Sequence, residues 1–377
     1  MSAPIDPVKL AQDLIRCPSV TPARGEVFDV LEHVLTPLGF TVHRWVMGDP
    51  PDGPTENMVA IRGDGGSPHF GFAGHLDVVP PGEGWQSDAF SAEIGDGLLV
   101  GRGANDMKSA IASYVAAVSR LDPAGGTLSL LITGDEEGYA TYGTPRIIDW
   151  LNERHIRPDM ILIGEPTSVD RLGDTVKIGR RGSVNMWIEV PGVQGHVAYP
   201  HRATNPVAPL ARVVSALDSI HLDDGTEQFP PSNLEFTAIT TPTSASNVIP
   251  GSATAQLNIR FNNLQRGADL VKMVEEIAER EAPGSTVKAR ISGEAFLTPP
   301  GPLYDVVVEA IEEETGRKPE LSTSGGTSDG RFLIQLCPVV DFGLPNATMH
   351  KVGECAAVED IRQLSRIYER ILRKIVA

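Results

Sequence analysis

The stretch HFGFAGHLD at residues 69–77 joins an apolar, β-rich run at His69–Ala73 to a histidine and an aspartate that follow it. Three more apolar runs of strand length occur in the first half of the chain, at Met58–Ile61, Leu128–Thr133 and Met160–Ile163. Helical patterns lie between these runs, most clearly at Asp106–Leu121 and Thr144–Arg154. Such alternation is typical of an α/β layer, and we predict a mostly parallel sheet with helices on both faces.

The pattern changes after Val176, where four strand-like runs accompany only two helical segments. The strands are predicted at Ser183–Val190, Leu234–Thr240, Thr254–Phe261 and Thr286–Ile291, and the helices at Pro206–Leu217 and Ala268–Glu281. Two helices against an antiparallel sheet form an α+β arrangement. We therefore predict a second, smaller domain in this part of the chain.

The first pattern returns after Pro299. It predicts a helix at Leu303–Thr315, a strand at Leu336–Asp341 and a final helix at Val358–Val376. The smaller domain is therefore predicted to be inserted into the larger one. We expect one domain of residues 1–179 and 294–377, interrupted by an inserted domain of residues 180–293, and 377 residues are enough for two cores.

The net charge of −17 argues against a nucleic-acid or anionic-membrane partner, because binding to phosphates needs clustered Lys and Arg. Residues Met1–Arg16 have an amphipathic helical pattern without an apolar signal core, and no run of 18 apolar residues occurs. We therefore expect a cytoplasmic protein. Cys17, Cys337 and Cys355 are odd in number and lack CxxC spacing, which predicts neither a disulfide framework nor a thiolate zinc site.

Acidic residues and histidines recur where the predicted strands of the first domain end. They are His75 and Asp77 after the first quoted run, Asp106 at the start of a helix, Glu136 and Glu137 after Leu128–Thr133, Glu165 after Met160–Ile163, and His350 after the last strand. In open α/β sheets, ligands bind at the carboxyl ends of the strands. We expect these side chains to converge on one crevice.

The chemistry of this set favours a metal centre. Imidazole and carboxylate both suit Zn²⁺, at about 2.0–2.2 Å per ligand. The five positions together supply His, Asp, Glu, Glu and His, and two histidines with three carboxylates are too many for one catalytic zinc, which takes three protein ligands. They suit two zinc ions about 3.5–4 Å apart, bridged by a carboxylate and a water. A lone HxD sequence or a Glu-Glu pair is common without any function, but five such residues at strand ends favour a metal site.

These residues resemble the motifs of the di-zinc amidohydrolase and exopeptidase family over essentially the whole chain. The matching segments are residues 74–77, 101–108, 135–138 and 165–166. The resemblance implies that His75 and Glu165 hold one zinc, that Glu137 and His350 hold the other, and that Asp106 bridges the two. It further implies Co²⁺ as a substitute at one site, Glu136 as general acid/base, Asp77 as the carboxylate that orients His75, and a cis peptide after Asp106.

Four further segments are most similar to the subgroup of this family that removes succinyl groups from amino acids. They are residues 179–183, 192–201, 325–332 and 342–355. By this resemblance a small-molecule substrate is bound by Arg180, Asn247, Arg260, Gly326, Thr327 and Asn346. A succinyl group ends in a carboxylate, which guanidinium binds bidentately. Without the resemblance, Arg180 and Arg260 would be taken for surface residues.

The resemblance also implies a homodimer through the inserted domain, with His196 entering the partner's active site. The alternative for His196 is a turn histidine among glycines. Asn105 stands where the family has a small apolar residue, and Ser246 stands where the subgroup has Asn, so these two positions depart from the pattern.

Two other functions remain open from the sequence. One is an acetylornithine deacetylase or another N-acyl amino acid hydrolase, with the same metals and a different pocket. The other is a non-catalytic, metal-dependent binding module. Glu136 argues against the second, because a binding module needs no carboxylate beside the metal water.

Overall fold

The computed structural model describes residues 4–121 and 125–376. Residues 1–3 and 377, at the ends of the first predicted domain, lie outside the described residues, and so does the start of the predicted Met1–Arg16 pattern. Backbone contacts divide the chain into two compact units. The first contains the chain up to Gly179, Thr298–Ser322 and the chain from Ser328, and the second contains Arg180–Leu297 and Thr323–Thr327. We propose these units as the two domains. The chain re-enters the first domain at Thr298, and the sequence pattern did not predict that the short segment Thr323–Thr327 belongs to the second unit.

Both units contain helices among the described residues. They are α1 Pro7–Ile15, α2 Glu26–Leu35, α3 Lys108–Val118, α4 Thr144–Glu153, α5 Val207–Asp218, α6 Gly267–Glu281, α7 Pro302–Thr315, α8 Gly330–Leu333 and α9 Val358–Val376. No helix among these is both long enough and apolar enough to span a bilayer.

The strands of the described residues vary in length from two to ten residues. They are β1 Thr41–Met47, β2 Thr55–Arg62, β3 His69–His75, β4 Glu93–Gly95, β5 Leu98–Val100, β6 Thr127–Thr133, β7 Met160–Ile163, β8 Thr175–Lys177, β9 Gly179–Arg180, β10 Gly182–Pro191, β11 Gly195–His196, β12 Asn233–Thr240, β13 Val248–Ile249, β14 Ser252–Phe261, β15 Thr286–Gly293, β16 Phe296–Leu297, β17 Glu320–Ser322, β18 Val339–Asp341 and β19 Cys355–Ala357.

The first unit is built on an eight-stranded sheet in the order β1-β2-β6-β3-β7-β18-β8-β17. The pairs β6–β3, β3–β7, β7–β18 and β8–β17 are parallel, and the other pairs are antiparallel. The predicted strand at Leu336–Asp341 is correct only from Val339, because the amide of Leu336 still donates to the carbonyl of Leu333 in the turn after α8.

Helices cover both faces of this sheet, as predicted, and strand β3 shows why. All seven of its residues are buried, and successive side chains point to opposite faces. Phe72 stacks on Tyr114 of α3, with ring centroids 4.1 Å apart, and meets the edge of Tyr368 of α9. The next residue, Ala73, belongs to a core cluster with Ile147 of α4. A continuous apolar run therefore forms a strand that is buried on both sides.

The second unit contains an antiparallel sheet in the order β12-β14-β10-β15, and helices α5 and α6 pack on it. In β14 half-buried and buried residues alternate along all ten positions, which is the pattern of a strand with one covered face. The inward side chains of β10 and β14 share one core with Leu210, Val213 and Val274 of the two helices. The predicted α+β architecture is confirmed.

Candidate metal centre

His75 ends strand β3 and is almost completely buried. Its Nδ1 atom lies 2.9 Å from the carbonyl oxygen of Asp77, which can only accept a hydrogen bond. The proton of the neutral ring is therefore on Nδ1, and the lone pair of Nε2 points away from the strand. That Nε2 atom lies 3.1 Å from Oδ1 of Asp106 and 3.7 Å from Oε1 of Glu165.

The other oxygen of Asp106 faces a second histidine. The Nε2 atom of His350 lies 3.2 Å from Oδ2 of Asp106 and 2.8 Å from Oε1 of Glu137. Asp106 stands just before α3, and its peptide bond to Met107 is cis, as the resemblance implied. Its carboxylate thus separates a His75 side from a His350 side.

Parallel pairing explains why these residues meet. In the sheet His75 pairs with Thr133, and Ala73 pairs with Ile163, so strands β3, β6 and β7 end at the same edge. Glu136 and Glu137 follow β6, and Glu165 follows β7. The ligand atoms of His75, Asp106 and Glu137 all lie within 4.8 Å of one another, and so do those of His75, Glu136 and Glu165.

These groups have strongly shifted pKa values. Burial and the nearby charge of Asp329 raise the pKa of Glu136 to about 8. Hydrogen bonds to Asp106 and Glu137 raise the pKa of His350 to about 10. Burial would lower the pKa of His75, but the hydrogen bond and charge of Asp106 raise it well above the usual range. Clustered carboxylates thus impose a strongly negative potential, which favours bound cations.

The donor set fits a pair of divalent cations. Four carboxylates crowd around two histidines, and His75 and Asp106 at the middle of the group are buried. Such crowding is unfavourable without compensating positive charge. Ligands at about 2.1 Å from a tetrahedral zinc lie roughly 3.4 Å from each other. The nitrogen–oxygen distances of 3.1 and 3.7 Å around His75, and of 3.2 and 2.8 Å around His350, are close to that separation.

Asp77 organises the turn that carries the two glutamates. Its carboxylate accepts hydrogen bonds from the amides of Glu136 and Glu137, at 3.1 and 3.0 Å, and from the hydroxyl of Thr21 at 2.6 Å. The same carboxylate lies 3.7 Å from Nδ1 of His75, whereas the carbonyl of Asp77 is the direct acceptor. Asp77 is therefore placed to orient His75 through its backbone and the glutamates through its side chain.

The predicted substrate residues, apart from Asn346, lie in the second unit, where four of them form two groups. Arg180 is buried and donates a 3.0 Å hydrogen bond to the carbonyl of Gly326, beside Thr327. His196 pairs with Val248 in the register of β11 and β13, and the carbonyl of Asn247 accepts from Val197.

The remaining two predicted residues are separate from these groups. Arg260 lies on β14, where it pairs in register with Ser183 and Asn233. Asn346 belongs to the first unit, and its amide donates to the carbonyl of Ser168.

His196 is exposed, and its ring has a defined tautomer. The amide of Ala198 donates to Nδ1 of His196 at 3.1 Å. In the neutral ring the proton is therefore on Nε2, which leaves one directed donor. The predicted turn histidine and the predicted hydrogen-bond donor are thus compatible, because the two functions use different nitrogen atoms.

The two departures from the family pattern are placed differently. Asn105 is buried, and its Nδ2 donates to the carbonyl of Pro345 at 2.6 Å, in the segment that leads to His350. Ser246 is exposed beside Asn247. Sequence reasoning missed Arg102 and Glu354, which contact the loop before Asp106, because the pair is 252 positions apart in the sequence.

Two histidines and four carboxylates at the strand ends of an α/β sheet form a candidate site of the kind found in metal-dependent hydrolases. Residues 71–374 match the model of peptidase family M20/M25/M40. The chain belongs to this family, which confirms the resemblance found in the sequence.

Individual relatives support the same assignment. The chain is 59% identical to a succinyl-diaminopimelate desuccinylase of Sphingopyxis alaskensis over 375 residues, which cover all of both proteins. It is similar in structure to an M20 family metallo-carboxypeptidase of Sulfolobus solfataricus (TM-score 0.81, 15% identity, 99% of each chain). It is also similar to a dinuclear metal binding peptidase of Bacillus subtilis (TM-score 0.72, 16% identity, 97% and 96% of the chains). At these identities the two structural likenesses concern the fold.

Proposed function

We propose that this chain hydrolyses N-succinyl-L,L-2,6-diaminopimelate to succinate and L,L-diaminopimelate, a step of lysine and diaminopimelate biosynthesis. The observation that carries the hydrolytic chemistry is Asp106, whose two oxygens face His75 and His350 at 3.1 and 3.2 Å beside Glu136. The succinyl substrate is supported by the full-length relative that is 59% identical and has this activity in its name.

In this proposal two zinc ions occupy the centre. His75 and Glu165 would hold one and Glu137 and His350 the other, Asp106 would be shared between them, and Co²⁺ would be able to replace zinc at one site. When bound, the pair polarises the amide carbonyl and acidifies the attacking water. The dinuclear centre named for the Bacillus subtilis neighbour supports this number of ions.

The protein's own residues move the proton and bind the developing charge. Glu136 takes the proton of the attacking water and delivers it to the leaving amine nitrogen, as a general acid/base does. Its raised pKa of about 8 suits both directions of transfer near neutral pH. The Nε2–H of His196 donates to the oxyanion that forms on the carbonyl.

The acyl end of the substrate is bound in the second unit. Arg180 and Arg260 pair with the succinyl carboxylate, while Asn247, Gly326 and Thr327, together with Asn346 of the first unit, contact the substrate backbone. Arg180 is buried, so an ion pair there is shielded from water and discriminates strongly between acyl groups.

The proposal includes a homodimer formed by the inserted domains, in which His196 acts in the partner's site. The exposed ring of His196 in the second unit supports this. The turn binds only Nδ1, so the Nε2–H donor is available to another group. The proposal also includes a cytoplasmic location, where an intermediate of amino-acid biosynthesis would be available.

Succinate release tests the function directly. The purified chain should release succinate from N-succinyl-L,L-diaminopimelate, should lose this activity after chelation, and should regain it with zinc. N-acetyl-L-ornithine serves as the competing substrate. Faster hydrolysis of the acetyl compound would assign the chain to the deacetylases, and no turnover of either substrate by the zinc-loaded protein would favour the binding module.

A further inference from the structure

A second buried carboxylate organises the loop that ends in Asp106. Glu354, directly before β19, is completely buried. Its Oε1 atom accepts three backbone hydrogen bonds from one loop, from Gly103 at 3.1 Å, Asn105 at 2.8 Å and Asp106 at 3.0 Å. Converging amides of this kind form an anion-binding nest. Here the anion is a carboxylate of the chain itself, 248 positions away from Asp106.

Arg102 neutralises this carboxylate and extends its contacts. The guanidinium is buried, and its NH1 group donates to Oε2 of Glu354 at 2.6 Å and to the carbonyl of Lys351 at 3.3 Å. Its NH2 group donates to the carbonyl of Pro81 at 3.2 Å. One planar, rigid group thus contacts the segment that carries His350 and the segment that follows strand β3.

We propose that Glu354 and Arg102 are positioning residues of the metal centre, which hold the loops of Asp106 and His350 at the separation that two metal ions require. The inference rests on the proposed two-metal function. Neither residue lies among the candidate ligands, so both act through the backbone. Ligand distances must be met within about 0.2 Å, and three amides fixed to one oxygen give the loop that accuracy.

The loop depends on this carboxylate because its backbone is unusual. Gly103 has φ +86°, and a Cβ there would lie 2.8 Å from Cγ1 of Val78. The backbone amides of Gly103, Asn105 and Asp106 need an acceptor inside the protein, since all three residues are buried. Glu354 is the acceptor of all three. Removing the acceptor therefore changes the conformation of the loop first. The positions of the proposed metal ligands change as a consequence.

The test separates positioning from general stability. Apo protein would be titrated with zinc against a chelating indicator, and its thermal unfolding would be followed without metal. Glu354→Gln keeps an acceptor for the amides but turns an NH2 group toward Arg102. We expect zinc affinity to fall by ~10–100-fold, together with a lower melting temperature of the apo protein.

The matched control is Glu56→Gln. Glu56 is also buried, and its carboxylate accepts from the amide of Gly25 at 2.6 Å and pairs with Arg44 at 2.7 Å, away from the loops of Asp106 and His350. This variant should melt at a lower temperature and bind zinc as the wild type does. Equal zinc affinities of the wild type, Glu354→Gln and Glu56→Gln would overturn the inference.

Two further variants cover the case in which Glu354→Gln does not fold. Glu354→Asp keeps the charge but is one methylene shorter, so it should fold and bind zinc more weakly. The double variant Arg102→Met with Glu354→Gln removes the uncompensated buried charge. It should regain stability without regaining zinc affinity, and recovery of both would contradict positioning. A wild-type chain that binds no metal pair would instead overturn the two-metal function.

Discussion

The backbone amide of Glu137 donates a 3.0 Å hydrogen bond to the carboxylate of Asp77. A proposed metal ligand is thereby oriented by a residue two positions beyond the end of a neighbouring strand. The relationship places Asp77 between the two halves of the centre, because its carbonyl also accepts from His75.

Replacing Asp77 by Asn should keep the carbonyl that accepts from His75 and should disturb the turn that carries Glu136 and Glu137. An amide group has one acceptor oxygen, and its NH2 would face the amide of Glu136 or the hydroxyl of Thr21. We expect zinc affinity and kcat to fall by ~10–100-fold, as is usual for groups that orient metal ligands. Zinc titration and steady-state kinetics would measure both quantities.

The control for this variant is Thr21→Val, which removes one donor to Asp77 and keeps the shape of the side chain. It should have the smaller effect, because the two glutamate amides remain bound. If zinc affinity and kcat fell as far in Thr21→Val as in Asp77→Asn, the effect of Asp77→Asn would be explained by local packing.

Glu136→Ala should separate catalysis from metal binding. Adjacent residues at a strand end point in different directions, so Glu137 can ligate while Glu136 faces the water. The variant should retain two metal ions per chain and lose kcat by at least ~10²–10⁴-fold. Metal analysis and turnover would be measured on the same sample. Loss of one metal ion would make Glu136 a ligand, and near-normal turnover would remove it from the mechanism.

The sequence predicted the long strands and helices well, because each follows one apolar pattern. Strand β7 has the predicted bounds, and β3 extends the predicted run by two residues that include His75. Helix α2 and strand β1 were not predicted. Strand β1 has mostly half-exposed positions, since it lies at the edge of the sheet and has one partner. Its sequence therefore lacks the continuous apolar run that marks β3.

The candidate site was predictable wherever ligands follow strands directly. The sequence located His75, Glu137 and Glu165 because each stands within four residues of an apolar run. It could not show that the carbonyl of Asp77, rather than its carboxylate, accepts from His75. Nor could it pair Arg102 with Glu354, since charge pairing across 252 positions leaves no local pattern.

Arg180→Lys tests the acyl preference. The buried guanidinium donates to Gly326. A guanidinium pairs with a carboxylate in two parallel hydrogen bonds, whereas an ammonium group offers one point charge. For the N-succinyl substrate we expect kcat/KM to fall by at least ~10-fold. For the N-acetyl analogue, which has no terminal carboxylate on its acyl group, kcat/KM should change little.

Arg181→Lys is the matched control in the adjacent position. Its guanidinium donates to Oδ1 of Asn233 at 2.9 Å, so we assign it to structure and expect the ratio of the two substrates to stay constant. If kcat/KM of Arg180→Lys fell equally for both substrates, Arg180 would not discriminate between the acyl groups.

Asp223 should make the stability of the second unit depend on pH. It accepts hydrogen bonds from the amides of Gly225 and Ser232 and from the side chain of Asn262. Burial raises its pKa, but these hydrogen bonds outweigh burial and lower the pKa to about 2. The unfolded value is about 3.9, so the stabilisation is complete above about pH 5 and is lost as the pH falls toward 2.

Asp223→Asn should therefore reduce the free energy of unfolding by about 1–2 kcal/mol at pH 7 and by clearly less at pH 3. Urea denaturation at both pH values would measure the difference. The neighbouring Asp224, whose side chain is 95% exposed, provides the control, because Asp224→Asn should change neither value. Equal losses for Asp223→Asn at the two pH values would show that its charge is not responsible.

His196 should act across the subunit boundary of the proposed dimer. Its Nδ1 atom is occupied by the amide of Ala198, and its exposed Nε2–H is available to an oxyanion. His196→Ala should thus lose ~10²–10³-fold in kcat, the usual cost of one such donor, and Glu136→Ala should be inactive as argued above.

Mixed dimers of these two variants distinguish the arrangements. If His196 acts in trans, one site of each hybrid carries both defects and the other carries none, so activity should return to about half of the wild-type value per hybrid dimer. If His196 acts in its own chain, each site keeps one defect, and hybrids that form but stay inactive would exclude the exchange. A His196→Gln subunit, which retains a donor on a side chain of similar reach, should give partial activity in homodimers, a result that a purely structural histidine would not predict.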